Sequence, residues 1–390
     1  MGMEATMLAI INGQVWTMTG TNFPKGTILI KDGKIVKVGD KIEIPSEAEV
    51  IDASGKIIMP GFIDAHCHVG ILEEVYQIEG DDVNEATEAV TPHLRAMDAI
   101  NPEDEGFKDA VAGGVTTVII SPGSANVIGG EMVAVKTAGK VIDKMIIKEP
   151  VGLKVAFGEN PKRVHGGQKR MPATRMGTAG ILREQLNKAK GYLEKFKQDD
   201  PTKYPEIDIR MDSIVRVLKK EIPLRAHAHR ADDIMTAIRI AREFDLKLII
   251  EHCTEGHKIV EEIIESGASV VVGPSIVNRA KVELRDKTLQ TPGILAKAGA
   301  NVALMTDHPV VPIHLFSLCA ALSVKEGMAE EDALKAITIN GAKIAGIDQR
   351  VGSLEEGKDA DLIILDGHPF EIKTRVLSVY INGQNVFEHV

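Results

Sequence analysis

The 390-residue sequence predicts an α/β protein, a (β/α)8 TIM barrel joined to a small β-sandwich that both chain termini build together. Two observations lead to this fold class. Short apolar strands alternate with helix-compatible stretches eight times through the middle of the chain, as in parallel βα units. Both termini carry short β-rich runs with hairpin signals. We therefore expect residues 1–58 and 350–390 to form the sandwich and residues 59–349 to form the barrel.

The sandwich prediction rests on β-rich runs near both ends of the chain. Asn12-Gly13 and Asp32-Gly33 are dipeptides that favour tight hairpins between such runs. A near repeat, Ile-Asn-Gly-Gln, begins at Ile11 and again at Ile381. Two unrelated hairpins are the alternative. The runs are Leu8–Ile11, Thr27–Ile30, Lys34–Val38, Ala360–Gly367 and Val376–Gln384.

The barrel prediction rests on eight short apolar segments, each compatible with a buried strand. The predicted strands are Ile57–Ala65, Val115–Ile120, Met132–Val135, Leu153–Phe157, Leu224–His227, Leu246–Glu251, Ala268–Val272 and Asn301–Met305. Helices are predicted at Thr178–Lys197, Met211–Lys220, Ala231–Glu243, Lys258–Glu265 and Thr291–Lys297. Alternation of this kind indicates parallel strands in a closed barrel.

Composition excludes several functional classes. The formal charge of −10 and the pI near 5.7 argue against nucleic acid or a membrane surface as partner, because both require a basic face. No apolar run approaches the ~20 residues of a membrane span, and the first residues lack the basic segment of a signal peptide. Three cysteines give no disulfide framework and indicate a reducing compartment. We expect a cytoplasmic homo-oligomer that acts on a small-molecule substrate.

Residues that suit a metal site lie at the predicted C-terminal ends of several barrel strands. His66 and His68 are two residues apart on an extended segment, so both project to one face. His227, His252 and Asp307 end or follow three further strands. Active sites of such barrels lie at this face, so we expect these side chains to converge. A pair of satisfied histidines near the surface is the alternative for the first two.

The chain resembles the amidohydrolase superfamily in four features: the motif Pro60–His68, the later strand-end histidines, Asp307 and the segment Val351–Leu362. The residues around the later histidines and at the barrel termini are most similar to the imidazolonepropionase-related branch. The resemblance covers nearly the whole chain. It is specific for the superfamily and weak for the substrate. It implies a (β/α)8 hydrolase with one or two divalent metals per chain.

By this analogy His66, His68 and Asp307 hold one metal, and His227 and His252 hold a second. Nitrogen and oxygen ligands with open positions suit Zn²⁺, with Mn²⁺, Fe²⁺, Co²⁺ and Ni²⁺ as alternatives. Such metals polarise a carbonyl and lower the pKa of a water from ~15.7 toward ~7. Asp307 would then be both ligand and general base; a capping Asp after a strand is the alternative.

Two close metals need a bridging anion, for which Lys154 and Glu159 compete. Gly152–Val155 resembles the fourth-strand segment of hydantoinase and dihydroorotase relatives, in which a lysine carboxylated by CO₂ bridges the metals. An unpaired ammonium inside an apolar strand is costly, which favours a carboxylated Lys154. Glu159 resembles the bridging glutamate of the acetylglucosamine-phosphate deacetylase branch, or else lines the substrate pocket or starts a loop.

Further residues bear on the substrate. His229 shares the face of His227 and is predicted to contact substrate or to support a ligand. Ring-deaminating relatives carry Glu three residues after the fifth-strand histidine, where this chain has Arg230, which disfavours deamination. The segment Asn160–Arg175 is basic and lacks acids. It is predicted to be a loop that binds a substrate carboxylate through arginines such as Arg163; an exposed basic loop or a subunit contact is the alternative.

The sequence thus predicts a metal-dependent amidohydrolase that cleaves a C–N bond of a cyclic amide or peptide-like substrate. The alternative reaction is that of an N-acetyl-sugar-type deacetylase or a ring deaminase on the same fold. A binding protein that has lost catalysis is disfavoured, because all five residues that the resemblance assigns as metal ligands are present.

Overall fold

The computed structural model describes residues 7–75, 78–198, 200, 202 and 204–389. The first six residues, for which we predict no signal peptide, lie outside this range. The described chain contains two eight-stranded sheets and eleven α-helices. Its strands are β1 (Leu8–Trp16), β2 (Asn22–Lys31), β3 (Lys34–Gly39), β4 (Glu49–Asp52), β5 (Ile57–Pro60), β6 (Phe62–Cys67), β7 (Val115–Ile120), β8 (Ile128–Lys136), β9 (Ile146–Ala156), β10 (Leu224–Ala228), β11 (Leu248–His252), β12 (Ser269–Val272), β13 (Val302–Leu304), β14 (Leu362–Leu365), β15 (Val376–Ile381) and β16 (Gln384–Glu388).

The helices surround the second of these sheets or connect its strands. They are α1 (Glu105–Ala112), α2 (Ile142–Met145), α3 (Glu159–Gly167), α4 (Arg175–Lys195), α5 (Ile209–Leu218), α6 (Ala231–Phe244), α7 (Val260–Ser266), α8 (Thr291–Lys297), α9 (Phe316–Lys325), α10 (Glu330–Ala336) and α11 (Ile339–Ala345). Among the described residues, no helix is both long and apolar enough to cross a membrane.

Both chain ends contribute to the first sheet, as predicted. Its strand order is β16-β15-β14-β5-β1-β2-β3, with β4 paired to β1. The N-terminal and C-terminal parts meet where β5 pairs antiparallel with β14, Ile58 opposite Ile364. Apolar side chains of these strands, including Ile10, Ile28 and Leu362, form a core separate from that of the barrel. A terminal sheet with its own core is therefore built beside the barrel.

The second sheet is a nearly closed barrel in the order β13-β12-β11-β10-β9-β8-β7-β6. Its first and last strands meet where the amide of Asp307 donates to the carbonyl of His66, 3.2 Å away. Small and apolar side chains such as Ala65, Ile249 and Met305 fill one interior core. The barrel places the C-terminal ends of strands from distant parts of the sequence around one opening.

The prediction of eight parallel strands is wrong for one strand of the barrel. The predicted strand Met132–Val135 is present within the longer β8, but β8 runs antiparallel to both β7 and β9. The connections before and after β8 are seven and nine residues long. Parallel strands need a crossover of about a dozen residues or more, whereas antiparallel neighbours need only a short link. An apolar run carries no signal of strand direction, so only the short links could have indicated this.

The predicted first strand, Ile57–Ala65, is in fact two strands that belong to different sheets. β5 pairs in the terminal sheet and β6 pairs in the barrel. Gly61 separates them, and a Cβ atom built there would lie 2.1 Å from Oγ1 of Thr116. The chain therefore passes from one sheet to the other through a glycine at a point with no room for a side chain.

Candidate active site

A cavity of about 370 Å³ opens at the C-terminal ends of the barrel strands. Cavities that accept small molecules measure about 300–1,000 Å³, so this one suits a small ligand. All six residues predicted as metal ligands line it, together with His229: His66, His68, Lys154, His227, His252 and Asp307. The structure thus brings together residues from five strand ends.

Strand alternation explains how β10 supplies two histidines. Ala226 and Ala228 pack in the core between barrel and helices. The alternate residues Arg225, His227 and His229 therefore project to the barrel interior. The sequence Arg-Ala-His-Ala-His suits this position, since alanine leaves room for the helix layer.

His252 and Asp307 reach the cavity through unusual backbone angles. Their φ values are 68° and 57°, in the left-handed region that side chains other than glycine rarely adopt. Glu251 already projects inward in the alternation of β11, so a regular strand would turn His252 outward. The left-handed turn at the end of β11 brings the next side chain to the same cavity. Such backbone strain is typical of functional sites.

His66, His68 and Asp307 form the first group of candidate ligands. Oδ1 of Asp307 lies 3.4 Å from Nε2 of His66 and 3.3 Å from Nε2 of His68. Burial alone would raise the pKa of Asp307, but the two imidazoles outweigh it and hold the pKa well below its usual range. Nδ1 of His68 lies 2.7 Å from the carbonyl of Ser121, which leaves Nε2 free for the cavity.

His227, His229 and His252 form the second group. One ring nitrogen of each lies within 4.8 Å of those of the other two. Burial lowers the pKa of His229 to about 3 and puts the pKa of His227 and of His252 well below the usual value. All three imidazoles are therefore neutral at physiological pH, which is the form that binds a metal.

Lys154 is one of the residues that line the cavity, with 1% of its surface exposed. Its Nζ is 3.3 Å from Nε2 of His66. Burial lowers the pKa of Lys154 to about 8, although Glu251 and Asp307 oppose the shift. A buried amine beside a candidate metal ligand is the environment that the carboxylation hypothesis requires.

The structure adds a buried ion pair that the sequence analysis missed. Nε of Arg225 donates to Glu251, and Nη2 of Arg225 donates to the carbonyl of Ala65 at 2.8 Å. Oε2 of Glu251 lies 2.8 Å from Nδ1 of His66. Burial would raise the pKa of Glu251, but Arg225 and His66 bring it to about 2. Charged residues of opposite sign at inward positions of adjacent strands were the signal that could have revealed this pair.

Two further acidic side chains near the site were also missed. Asp64 is fully buried and accepts hydrogen bonds from the amides of His66 and Thr306, so it links the ends of β6 and β13. Glu283 lies in a short turn between β12 and α8, where no periodicity marks it. Its side chain is 1% exposed and points toward His227 and His229.

The remaining predicted substrate residues do not line the cavity. Glu159 begins α3, and its Oε2 accepts a hydrogen bond from the amide of Glu283 at 3.4 Å. Arg163 lies on the exposed face of α3. Arg230 precedes α6 and pairs with Asp232. The basic segment predicted as a loop is helical over Glu159–Gly167, because the chain forms α3 directly after β9.

Besides the candidate ligands, the cavity is lined by apolar and neutral polar side chains and by one further lysine. Lys281 is that lysine, with Nζ 3.4 Å from Oδ1 of Asn160. The walls offer a substrate both apolar contact and hydrogen-bond partners. They are formed by Leu72, Val83, Val277, Leu284 and Val310 and by Asn84, Ser124, Asn160, Asn278 and Lys281.

The donor set fits a divalent metal. Two ligands on one tetrahedral ion, each ~2.0–2.2 Å from it, lie about 3.3–3.6 Å apart. The contacts of Asp307 with His66 and His68 have this spacing. Nε2 of His227 is buried without a hydrogen-bond partner among the described residues, as expected of a nitrogen reserved for an ion.

Comparison with known proteins gives consistent matches. The model of the amidohydrolase family matches residues 57–386. An amidohydrolase from Thermotoga maritima of known structure is 47% identical and superposes with a TM-score of 0.94, over 98% of this chain and 100% of that one. The amidohydrolase tasK of Hapsidospora irregularis is 27% identical over 93% of this chain, which spans 40% of the length of that relative. Imidazolonepropionase of Sphingopyxis alaskensis is 23% identical over 94% of this chain and 93% of its own length.

Proposed function

The chain belongs to the amidohydrolase family, a family of hydrolases that act on C–N bonds, and we propose that it hydrolyses a cyclic amide or a peptide-like substrate with a metal-activated water. One observation carries the proposal. Four histidines and Asp307 converge with the buried Lys154 on a single cavity at the C-terminal end of the barrel. Buried neutral imidazoles around a carboxylate are a metal-binding arrangement.

Each candidate ligand has an assigned place in this proposal. His66, His68 and Asp307 hold one divalent metal, for which Zn²⁺ suits the nitrogen and oxygen donors. His227 and His252 hold a second. Lys154 would supply the anion that two close ions need, formed by attack of its neutral amine on CO₂ with loss of a proton. When bound, the metals supply a water of lowered pKa and polarise the scissile carbonyl.

Asp307 is the proposed general base. The imidazoles of His66 and His68 hold its pKa well below the usual range, so its carboxylate is ionised at neutral pH. Its carboxylate takes the proton of the attacking water and returns it to the leaving nitrogen, which needs a proton to depart as an amine. The side chain is 14% exposed and faces the cavity, so it can contact both groups.

The cavity walls bear on the substrate class. Apolar side chains such as Leu72 and Val83 suit a ring or a hydrophobic side chain, and Asn84 and Asn160 suit amide groups. Deaminases are the alternative, because adenine deaminase of Lactobacillus delbrueckii is among the relatives, 23% identical over 96% of this chain and 58% of its own length. Arg230 disfavours that reaction, because it occupies the position at which ring-deaminating relatives carry a glutamate. Cytoplasmic location and homo-oligomeric assembly stay predictions.

The test is metal analysis combined with a substrate screen. Protein purified with added Zn²⁺ is expected to hold one or two ions per chain and to turn over a member of a panel of cyclic ureides, N-acyl amino acids and dipeptides. Chelation should abolish turnover and Zn²⁺ should restore it. Aminopurines in the same panel test the deaminase alternative. Less than about one metal per chain, without turnover of any C–N substrate, would contradict the proposal.

A further inference from the structure

We propose that Glu283 and His229 complete the ligand set of the second metal, so that this ion is held by three imidazoles and one carboxylate. The inference rests on the proposed function and deepens it. Only His227 and His252 have so far been assigned to this ion. His229, at the end of β10, lies next to both of these histidines, and Glu283, in the turn after β12, lies next to His227 and His229.

The spacing around Glu283 is that of metal ligands rather than of hydrogen bonds. Its Oε1 lies 3.6 Å from Nε2 of His229 and 4.0 Å from Nε2 of His227. Hydrogen bonds between nitrogen and oxygen measure ~2.7–3.2 Å, whereas two ligands of one tetrahedral zinc lie about 3.3–3.6 Å apart. The three imidazoles already have ring nitrogens within 4.8 Å of one another, and Glu283 would move toward them to share their ion.

His229 has an oxygen partner at Nδ1, as has His252, one of the two histidines already assigned to this ion. Its Nδ1 lies 2.7 Å from Oγ1 of Thr254, and Nδ1 of His252 lies 3.1 Å from the carbonyl of Gly273. In each ring an oxygen engages Nδ1 and leaves Nε2 directed to the cavity. Such a partner fixes the ring orientation and the tautomer of a metal-binding histidine. By this criterion His229 is a ligand and not a residue free to contact substrate.

The carboxylate of Glu283 is incompletely satisfied without an ion. Oε2 accepts a hydrogen bond from the amide of Glu159 at 3.2 Å, but Oε1 is buried with no hydrogen-bond partner among the described residues. Nζ of Lys281 is 3.6 Å from Oε1, beyond hydrogen-bond distance, and this lysine side chain is 35% exposed. A buried carboxylate oxygen without a partner is costly. A cation shared with the histidines removes that cost.

This ligand set distinguishes the two metal sites. The second ion would have four side-chain ligands besides the shared anion of Lys154, and the first would have three besides the same anion, so the first keeps more room for water or substrate. The second ion would then bind more tightly and serve mainly to shape the site. Substrate recognition would fall to the cavity walls, where Asn84, Asn160 and Lys281 lie.

The experiment measures metal binding and does not depend on turnover. Zinc-loaded wild-type protein, Glu283→Gln and His229→Gln are dialysed against graded chelator concentrations, and the ions retained per chain are counted by mass spectrometry. Each variant is expected to lose at least 10-fold in affinity for one of two ions and to keep the other. Glu255→Gln is the matched control, because Glu255 is on the same side of the barrel but accepts from the amide of Ala231 and from Lys258.

Two results would overturn the inference. One is a Glu283→Gln variant that keeps two ions with wild-type affinity, which would leave the proposed function intact. The other is a wild-type chain that binds no metal, which would remove the proposed function as well. If a variant does not fold, anomalous diffraction at the zinc edge from wild-type crystals decides: Glu283 Oε1 and His229 Nε2 must each lie within about 2.3 Å of an ion.

Discussion

Replacing Arg225 by methionine should cost the protein much of its stability although the residue touches neither substrate nor metal. Methionine preserves most of the side-chain volume and removes the charge. Arg225 and Glu251 are both fully buried. The change therefore leaves the Glu251 carboxylate inside the barrel without the guanidinium, while the imidazole of His66 still lies 2.8 Å away.

The size of the effect follows from the burial of the pair. Removing one member of a buried ion pair costs about 3–5 kcal/mol, because the other charge stays uncompensated. The pKa of Glu251 gives a similar figure. Burial raises this pKa, and the net shift from 4.5 to about 2 that Arg225, His66 and Lys154 produce against it corresponds to about 3 kcal/mol in favour of the charged form. A loss of about 3 kcal/mol is a large part of the stability of a typical protein.

The assay is equilibrium urea unfolding of chelated protein, followed by far-UV circular dichroism. Arg183→Met is the matched control, since Arg183 makes two short contacts with Glu243 but both side chains are about one-third exposed. That variant should lose less than about 1 kcal/mol. The double variant Arg225→Met/Glu251→Gln should recover part of the loss because neither charge remains. The reasoning is refuted if Arg225→Met is no less stable than Arg183→Met.

Three further predictions concern the site and the link between the sheets. Lys154→Ala should lose one metal per chain, and short carboxylates added to the buffer should restore that metal and part of the activity. Metal counts and hydrolysis rates measure both effects. Retention of both ions by the variant would contradict a carboxylated lysine. Lys281→Ala should raise KM for the substrate at least several-fold, whereas Arg163→Ala should leave KM within about twofold, because of these two residues only Lys281 lines the cavity. Steady-state kinetics of both variants measures the two KM values. A larger rise in KM for Arg163→Ala than for Lys281→Ala would contradict a substrate-binding role of Lys281. Asp359, which burial would protonate, has its pKa brought from 3.8 to about 2 by Lys136, Lys34 and Arg350. A lowered pKa stabilises the fold above pH ~4, and this contribution of about 2 kcal/mol is lost as the pH falls toward 2. Between pH 4 and pH 2 the urea midpoint of Asp359→Asn should therefore change less with pH than that of the wild type. The same slope in both proteins would contradict this role of Asp359.

Much of the fold followed from patterns of apolar residues. The alternation along Arg225–His229 predicted which side chains share a face, and the amphipathic stretches predicted helices such as α6 and α8 within one residue of their observed bounds. Such periodicities report which face of an element is buried. They do not report strand direction. For this reason β8 was predicted as a strand but not as an antiparallel one.

The parts of the site that escaped prediction depend on contacts between distant residues. Glu283 lies in a turn with no repeating pattern, and only the fold brings it to His227 and His229. Glu251 was predicted as the last residue of a strand, but its pairing with Arg225 depends on the register in which β10 pairs with β11. Arg163 illustrates the opposite error, since its charge suggested a role that its position on α3 does not support. Local sequence identifies residue types, whereas tertiary contacts decide their partners.

The direct passage from β5 to β6 has a mechanical consequence for the candidate metal site. Four residues separate Gly61 from His66, and only Gly61 lies between β5 of the terminal sheet and β6 of the barrel. Any tilt of the terminal sheet would pull on β6 and displace the first pair of histidines. The packing of the terminal sheet and the position of the first pair of histidines are therefore coupled through β6.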